Sequence, residues 1–335
     1  MTRNKVKAPY VRTESTSGKM MLDILLALIP LGVLSYVNYG LRPLYVVLLT
    51  MATAIVCEIL CDIIRRRPIR TYRDCTAAIT GMLIGLAMSP IVDYWVPMLG
   101  AAFAILVVQD PFGGTGRNVF NPAAAGIAVL AFCFPGRMFA YPAVLGTEHL
   151  PTTISVAETV AEQSLATQLL AGATPSYTFM DLLLGDFAGP IGATATLILL
   201  AFIAYLLVHR TISGWVVLPY LATCAIMAIL TPMGGMSRDY STLAQLCSGY
   251  ILFAGAFLIN DPVTAPRFWL GRLFYGILAG MLVMAMQHLG QNEASACFAI
   301  LIMNAVSPII DRWSWHGWHW ATNLRRIRRE VKSYE

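Results

Sequence analysis

The chain has 335 residues, of which 57% are hydrophobic and 12% charged, with a net charge of +5 and a mean hydropathy of +0.66. A soluble domain carries roughly 25% charged residues, so this composition excludes a water-soluble globule and points to the lipid bilayer as solvent. The positive charge follows membrane topology, and nucleic acid is not an expected partner.

The first 19 residues are polar and basic and lack the pattern of a cleavable signal peptide. Apolar segments then follow near 20–39, 43–63, 76–90, 94–109, 120–134, 189–208, 213–231, 246–260, 270–288 and 294–310. Several are shorter than the roughly 20 residues a straight span needs. Asp74 and Pro90 bound the third, and Asn121-Pro122 opens the fifth. Such segments predict broken or re-entrant helices around a buried site; ordinary helices with clipped ends would read the same way.

With a cytoplasmic N-terminus, ten crossings return the C-terminus to the cytoplasm. Of the 23 Lys and Arg, only Arg42, Arg137 and Arg238 then lie outside, the asymmetry that the positive-inside rule predicts. The expected organisation is a first transmembrane repeat at 1–134, an extracytoplasmic loop at 135–188, a second repeat at 189–311 and a basic cytoplasmic tail at 312–335. Five spans on each side of the loop are the arithmetic of an inverted repeat. The fold expected is therefore an all-α polytopic membrane protein of about ten helices in two inverted five-helix repeats.

The long loop carries Glu148, Glu158, Glu162, Asp181 and Asp186 against Arg137. Part of it, 153–170, predicts one helix lying over the membrane domain, and it ends in 171-AGATP-175. A near copy of that motif follows in 190-PIGATATLILL-200.

The cytoplasmic stretch 110-DPFGGTGRNVFNPAAAG-126 has neither the phosphate-loop pattern nor the dinucleotide fingerprint. Asn118 and Asn121 read either as caps of the helix beginning at Pro122 or as amides that hydrogen-bond a planar heterocycle. In 260-NDPVTAPRF-268, Asp261 is either a turn residue or an acid poised for ligand contact. Glu58 and Asp62 share a helix face, suiting an ion path or an interfacial position beside Arg65–Arg67. His209 and His288 fall at segment ends, and the tail 313-WSWHGWHWATNLRRIRRE-330 reads as an interfacial anchor. The seven cysteines are scattered. Cys57 and Cys61 share a face, as packing residues or as part of a metal site completed by a partner, and no disulfide is expected. No hydrolase motif is present, so any chemistry falls to a bound cofactor.

Together, 112-FGGTGRNVFNPAAAG-126, 171-AGATP-175, 185-GDFAGPIGATATL-197 and 260-NDPVTAP-266 resemble one family over nearly the whole chain. It contains the RnfD component of the Rnf ferredoxin:NAD oxidoreductase complex and the NqrB component of the sodium-pumping NADH:quinone reductase. The short N-terminus favours the RnfD branch. The resemblance implies a bacterial inner-membrane translocase component, not catalytic alone, that couples electron transfer between ferredoxin and NAD to Na+ or H+ movement. Its partners would be the other subunits and, during maturation, a flavin transferase.

In this family the last threonine of an S/T-G-A-T motif carries FMN through a phosphoester. The matching residue is Thr174, with Ala171 where the family has Ser or Thr. The echo matches the family's G-x-I-G-E-[TS] segment, with Ala193 in place of the glutamate, and Thr194 reads as a helix-packing residue. The resemblance also implies a second, non-covalent riboflavin nearer the cytoplasm, with Asn118, Asn121 and Asp261 as the matching residues. A stand-alone channel or transporter for a small solute is the alternative that ten spans also suit.

Overall fold

The computed structural model describes residues 17–66, 75–114, 116–142, 150–152, 162–233, 235–290 and 293–332, with side chains from Met20 to His316. Outside the described residues lie Asp74, Glu148, Glu158, Arg67, Arg70, Arg73, the 153–161 part of the expected loop helix and the side chains of most of the tail. The described chain is helical, with one isolated bridge between Tyr141 and Glu162.

The helices are α1 (Ser17–Tyr39), α2 (Leu41–Ile64), α3 (Thr76–Leu86), α4 (Trp95–Phe103, continued by a π-helical turn Ala104–Gln109), α5 (Pro122–Cys133) and α6 (Pro135–Met138). Two short helices, α7 (Leu165–Leu170) and α8 (Phe179–Leu184), lie in the central loop. The second half holds α9 (Thr196–Val208), α10 (Gly214–Leu230), α11 (Arg238–Cys247), α12 (Ile251–Phe253, continued by a π-helical turn Ala254–Leu258), α13 (Trp269–Gly290) and α14 (Ser295–Lys332).

Four of these, among the described residues, are long and apolar enough to cross a membrane: α1, α2, α13 and the first part of α14. A fifth span forms if α11 and α12 are taken as one helix bent by 59°. The other apolar helices, α3, α4 with its π-turn, α5, α9 and α10, have 10–17 residues. An outward stripe on α1 (Leu22, Leu26, Ile29 and Val33) is exposed at helical spacing, as a lipid-facing surface requires. The chain is a multi-pass membrane protein. Helix α14 runs unbroken from Ser295 to Lys332, past the expected start of the tail at 312, and in the described part of the loop α7 begins at Leu165, capped by Ser164.

Close helix contact comes from small residues. A Cβ on Gly81 or Gly85 of α3 would stand 2.6 or 2.8 Å from the α2 backbone, and one on Gly276 of α13 would stand 2.4 Å from the carbonyl of Val216 on α10. This is the small-xxx-small packing by which membrane helices associate without a hydrophobic driving force.

Where a helix stops inside the bundle, its carbonyls need donors. After α3 ends, Leu86 O accepts from Gly192 N (2.7 Å) and Met88 O from Ile191 N (2.9 Å), while Ala87 O accepts from the Tyr250 hydroxyl (2.6 Å). Arg42, 2% exposed, donates to the carbonyls of Pro90 (3.1 Å), Ile91 (3.1 Å), Val92 (3.0 Å) and Thr152 (2.7 Å). Arg42→Ala orphans these acceptors at about 1–3 kcal/mol each. Thermal unfolding in detergent is expected to show a large drop for Arg42→Ala and a smaller one for Arg42→Lys, which keeps three donors.

Candidate functional site

The two π-helical turns border one cavity. Each leads into an amide–acid–proline triplet, Gln109-Asp110-Pro111 and Asn260-Asp261-Pro262. A π-turn widens the helix by one residue and is frequent at functional sites. The cavity is about 350 Å³, with apolar walls from Ile24, Ile79, Leu83 and Phe257 and polar groups from Gln109, Asn118, Asn121, Asn260 and Asp261.

Asn121 acts first as a cap: its side-chain oxygen accepts from Ala124 N at 3.1 Å. Its Nδ2 donates to the carbonyl of Leu258 at the end of the second π-turn (2.9 Å), and its backbone N donates to Asn304 Oδ1 (2.9 Å). These bonds leave at most one amide N–H for a ligand. Asn118 instead spends its Nδ2 on Phe120 O (3.1 Å) and Asp261 Oδ2 (3.3 Å), leaving its amide oxygen for other bonds.

Asp261 closes a turn, with Oδ1 accepting from Val263 N at 3.1 Å and Oδ2 from Thr264 Oγ1 at 3.3 Å. Burial pushes its carboxyl above the ordinary value, partly opposed by the hydrogen bonds from Val263, Asn118 and Thr264. All three residues expected from the sequence therefore line one cavity, although Asn118 and Asp261 lie 143 positions apart. Gln109 was not among them. It lines the same cavity and donates to Glu58 Oε1 at 3.3 Å, which gives Glu58 a partner at this wall. The repeated amide–acid–proline triplet was the sequence signal for it.

The second candidate lies on the loop. The C-terminus of α7 closes with Gly172 N bonding Leu169 O and Ala173 N bonding Gln168 O, both at 3.0 Å, with Gly172 at φ 71°. This is a Schellman motif, which needs a residue tolerant of the left-handed region. It ejects Thr174 and Pro175 from the helix, and Thr174 is exposed. Leu165 and Leu169 anchor α7 against Leu182, Phe187, Ala244 and Cys247. A Thr178–Asp181 capping box then starts α8.

The twin motif does the opposite. Thr194 is 3% exposed, and a Cβ on Gly189 would meet its methyl at 2.6 Å. A Cβ on Gly192 would stand 2.9 Å from Leu86 Cβ, so glycine is what lets this segment dock on the α3 break.

Asn260 and Asp261, which line the cavity, precede α13 in the chain. The helix bearing the Thr174 turn bonds through Thr167 Oγ1 to Glu293, just past the far end of α13, at 2.8 Å. With 22 residues at about 1.5 Å each, α13 is roughly 33 Å long.

A family model for NQR2, RnfD and RnfE matches residues 4–316. The chain belongs to the NQR2, RnfD, RnfE family. It is similar to the D component of the ion-translocating oxidoreductase complex of Stutzerimonas stutzeri, 32% identical over 89% of this chain and 90% of the relative. The D component of the Na(+)-translocating ferredoxin:NAD(+) oxidoreductase complex of Acetobacterium woodii is 29% identical over 97% of both chains. The proton-translocating counterpart of Clostridium ljungdahlii is 27% identical over 92% of this chain and 93% of its own.

In this family member Cys57 and Cys61 are buried, all seven cysteines are free, and no group of three metal-ligating side chains occurs among the described residues. His209 stacks on Tyr205 with ring centroids 4.3 Å apart, and His288 pairs with Thr231 at 3.0 Å; both sit at helix ends as expected. The two asparagines of the cavity differ in what they hold together. Asn121→Ala loses a cap worth about 1 kcal/mol and strands the buried Leu258 carbonyl at about 1–3 kcal/mol. Its melting temperature is expected to fall well below that of Asn118→Ala, measured in the same detergent.

Proposed function

We propose that this chain is the flavin-carrying membrane subunit of an Rnf-type complex, which couples electron transfer between ferredoxin and NAD to Na+ or H+ translocation. The observation that carries the reading is the pairing of an exposed threonine turn with an amide-lined cavity bordered by Asn118, Asn121 and Asp261. The names of the Acetobacterium and Clostridium relatives supply the reaction. They also differ in the ion, so the ion itself is left open.

Under this reading ten apolar segments cross the bilayer in two inverted repeats. The N-terminus and the Asp261 cavity face the cytoplasm, and the 135–188 loop faces outward. The lysine and arginine distribution supports that orientation.

Thr174 is proposed to hold FMN through a phosphoester on its Oγ1. The residues present suit that role: the hydroxyl is exposed, and a Cβ at neighbouring Gly172 would have nothing within 4 Å, so the turn is open to a modifying enzyme. Ala171 is exposed as well, and its lack of a hydroxyl removes nothing from the acceptor. The cavity is proposed to hold riboflavin. Its 350 Å³ and apolar walls lie within the range of small-molecule pockets. The amide oxygen of Asn118 or the carboxylate of Asp261 would accept from the one N–H of a flavin's pyrimidine edge, and the remaining amide N–H of Asn121 would donate to one of its carbonyls. Bound flavins would supply one- and two-electron chemistry. The protein's part is to space two such sites across the bilayer, to exclude water from one, and to keep the other accessible to a partner. Moving one charge against 100 mV costs about 2.3 kcal/mol, which an exergonic electron transfer can meet.

Co-expressed with a flavin transferase, the purified chain is expected to give a fluorescent band on a denaturing gel under ultraviolet light. Thr174→Ala should be dark and Thr194→Ala as bright as the parent; a dark parent would favour a stand-alone channel or transporter. Asp261→Ala is expected to keep the fluorescent band while losing at least tenfold of the free flavin released by acid precipitation. Retention of that free flavin would move the second site elsewhere.

A further inference from the structure

Helix α8 (Phe179–Leu184) is apolar on nearly every side, with Asp181 as its one polar residue. A helix that is hydrophobic all round needs apolar surroundings all round, and the protein supplies only part of them. Leu182 is fully buried among Leu165, Leu169, Phe187, Ala244 and Cys247. Phe179, Met180 and Leu184 are instead 53%, 65% and 56% exposed. At 3.6 residues per turn these three and the half-buried Leu183 fall on one continuous arc that leaves Leu182 outside it. Asp181 turns back to the helix start, where it accepts from Thr178 N at 2.7 Å. An exposed apolar surface of this kind marks a protein or membrane contact.

The place of α8 in the fold decides between the two. It packs against α9 and α11. Gly185 ends it at φ 92°, and a Cβ there would stand 2.6 Å from the carbonyl oxygen of Thr194, so the end of α8 rests on the backbone that enters α9. Helix α9 has only 13 residues, about 20 Å of rise against a hydrocarbon core of about 30 Å. Its last turn leads into the exposed Arg210, a charge that belongs at a membrane boundary. The first turn of α9 therefore stops roughly 10 Å short of the opposite boundary. The irregular backbone before it agrees with that depth: Gly192 N bonds Leu86 O at 2.7 Å where α3 breaks, and non-helical chain within a membrane must be shielded by protein in this way. On the first turns of α9, Leu197 and Leu200 are 55% and 42% exposed.

We infer that the exposed arc of α8 docks on the acyl chains of the membrane leaflet beside α9, as a short interfacial helix that completes the apolar height of a short span. The lipid-facing surface of α9 at Leu197 and Leu200 runs on to this arc, so the same leaflet covers both. The segment 171–190 contains no lysine or arginine, which leaves apolar burial as the driving force and gives anionic headgroups no part in it. Tyr240 fixes the start of the helix by donating from its hydroxyl to Tyr177 O at 2.7 Å. Thr174 lies just before the Thr178 cap, so docking seats the Thr174 turn at headgroup depth, where anything that reaches it moves along the membrane surface. This rests on the multi-pass membrane character of the chain and not on any flavin at Thr174.

The test uses the full-length chain in phosphatidylcholine nanodiscs, with Cys75 and Cys133 changed to alanine because the other five cysteines are buried. A single nitroxide label is placed on Met180→Cys, on Ser176→Cys or on Leu200→Cys. Power saturation then compares collisions with O2, which concentrates among acyl chains, and with a water-soluble nickel chelate. The O2-to-nickel ratio is expected to be several-fold higher at position 180 than at the exposed position 176, and to approach that at position 200. Leu184→Cys lies on the same arc and replaces Met180→Cys if that variant fails to fold. Exchanging part of the phosphatidylcholine for phosphatidylglycerol is expected to leave the ratio at position 180 unchanged. The inference is overturned if the label on the arc meets nickel as freely as the one at position 176, which would leave the face in water for a protein partner or show a bilayer thinned to the length of α9. It is also overturned if immersion of the label requires the anionic lipid.

Discussion

The architecture depends on one constraint: a helix that stops inside a bilayer must find donors for the carbonyls it leaves open. At the end of α3 those donors come from three distant parts of the chain. Ile191 and Gly192 supply backbone N–H groups, Tyr250 supplies a hydroxyl, and Arg42 spreads its guanidinium over Pro90, Ile91 and Val92. The α3 break is thereby tied to α2, to the entry of α9 and to the bend between α11 and α12. A charged arginine buried to 2% exposure fits such a place because its forked donors match several carbonyls at once.

The same constraint accounts for where the polar chemistry collects. Each π-helical turn displaces one backbone bond, and the Leu258 carbonyl at the end of the second is taken up by Asn121. Asn121 also caps α5 and donates its backbone N–H to Asn304 of α14, so one residue joins three elements at the cavity edge. Asn118 and Asp261 then meet across the gap. At the other end of α13 a second polar cluster forms around Glu293, where the loop helix α7 is tied to the membrane bundle. Asp261 precedes α13 in the chain and Glu293 follows it.

The paired threonine motifs show how context divides similar sequences. In 171-AGATP-175 the glycine is free of neighbours and takes φ 71° to close a Schellman turn, leaving Thr174 in solvent. In 190-PIGAT-194 the glycine is used for close approach to α3, and the threonine is buried.

Much of this was legible in the sequence. Composition and hydropathy determined a multi-pass helical protein, and Pro90 and Asn121-Pro122 marked two places where helices stop or start, because proline and capping residues act locally. The motifs also named Asn118, Asn121, Asp261 and Thr174. Hydropathy did not reveal that 246–260 belongs to a helix bent by 59°, nor that the loop helix begins at Leu165. Only the tertiary structure decided that Asn118 and Asp261 share a cavity with Gln109, that Arg42 feeds a helix break, and that Glu293 stands buried among hydroxyls. Those facts are pairings across as many as 152 positions, set by which unsatisfied backbone and side-chain groups meet once the helices pack, and local sequence carries no record of the partner.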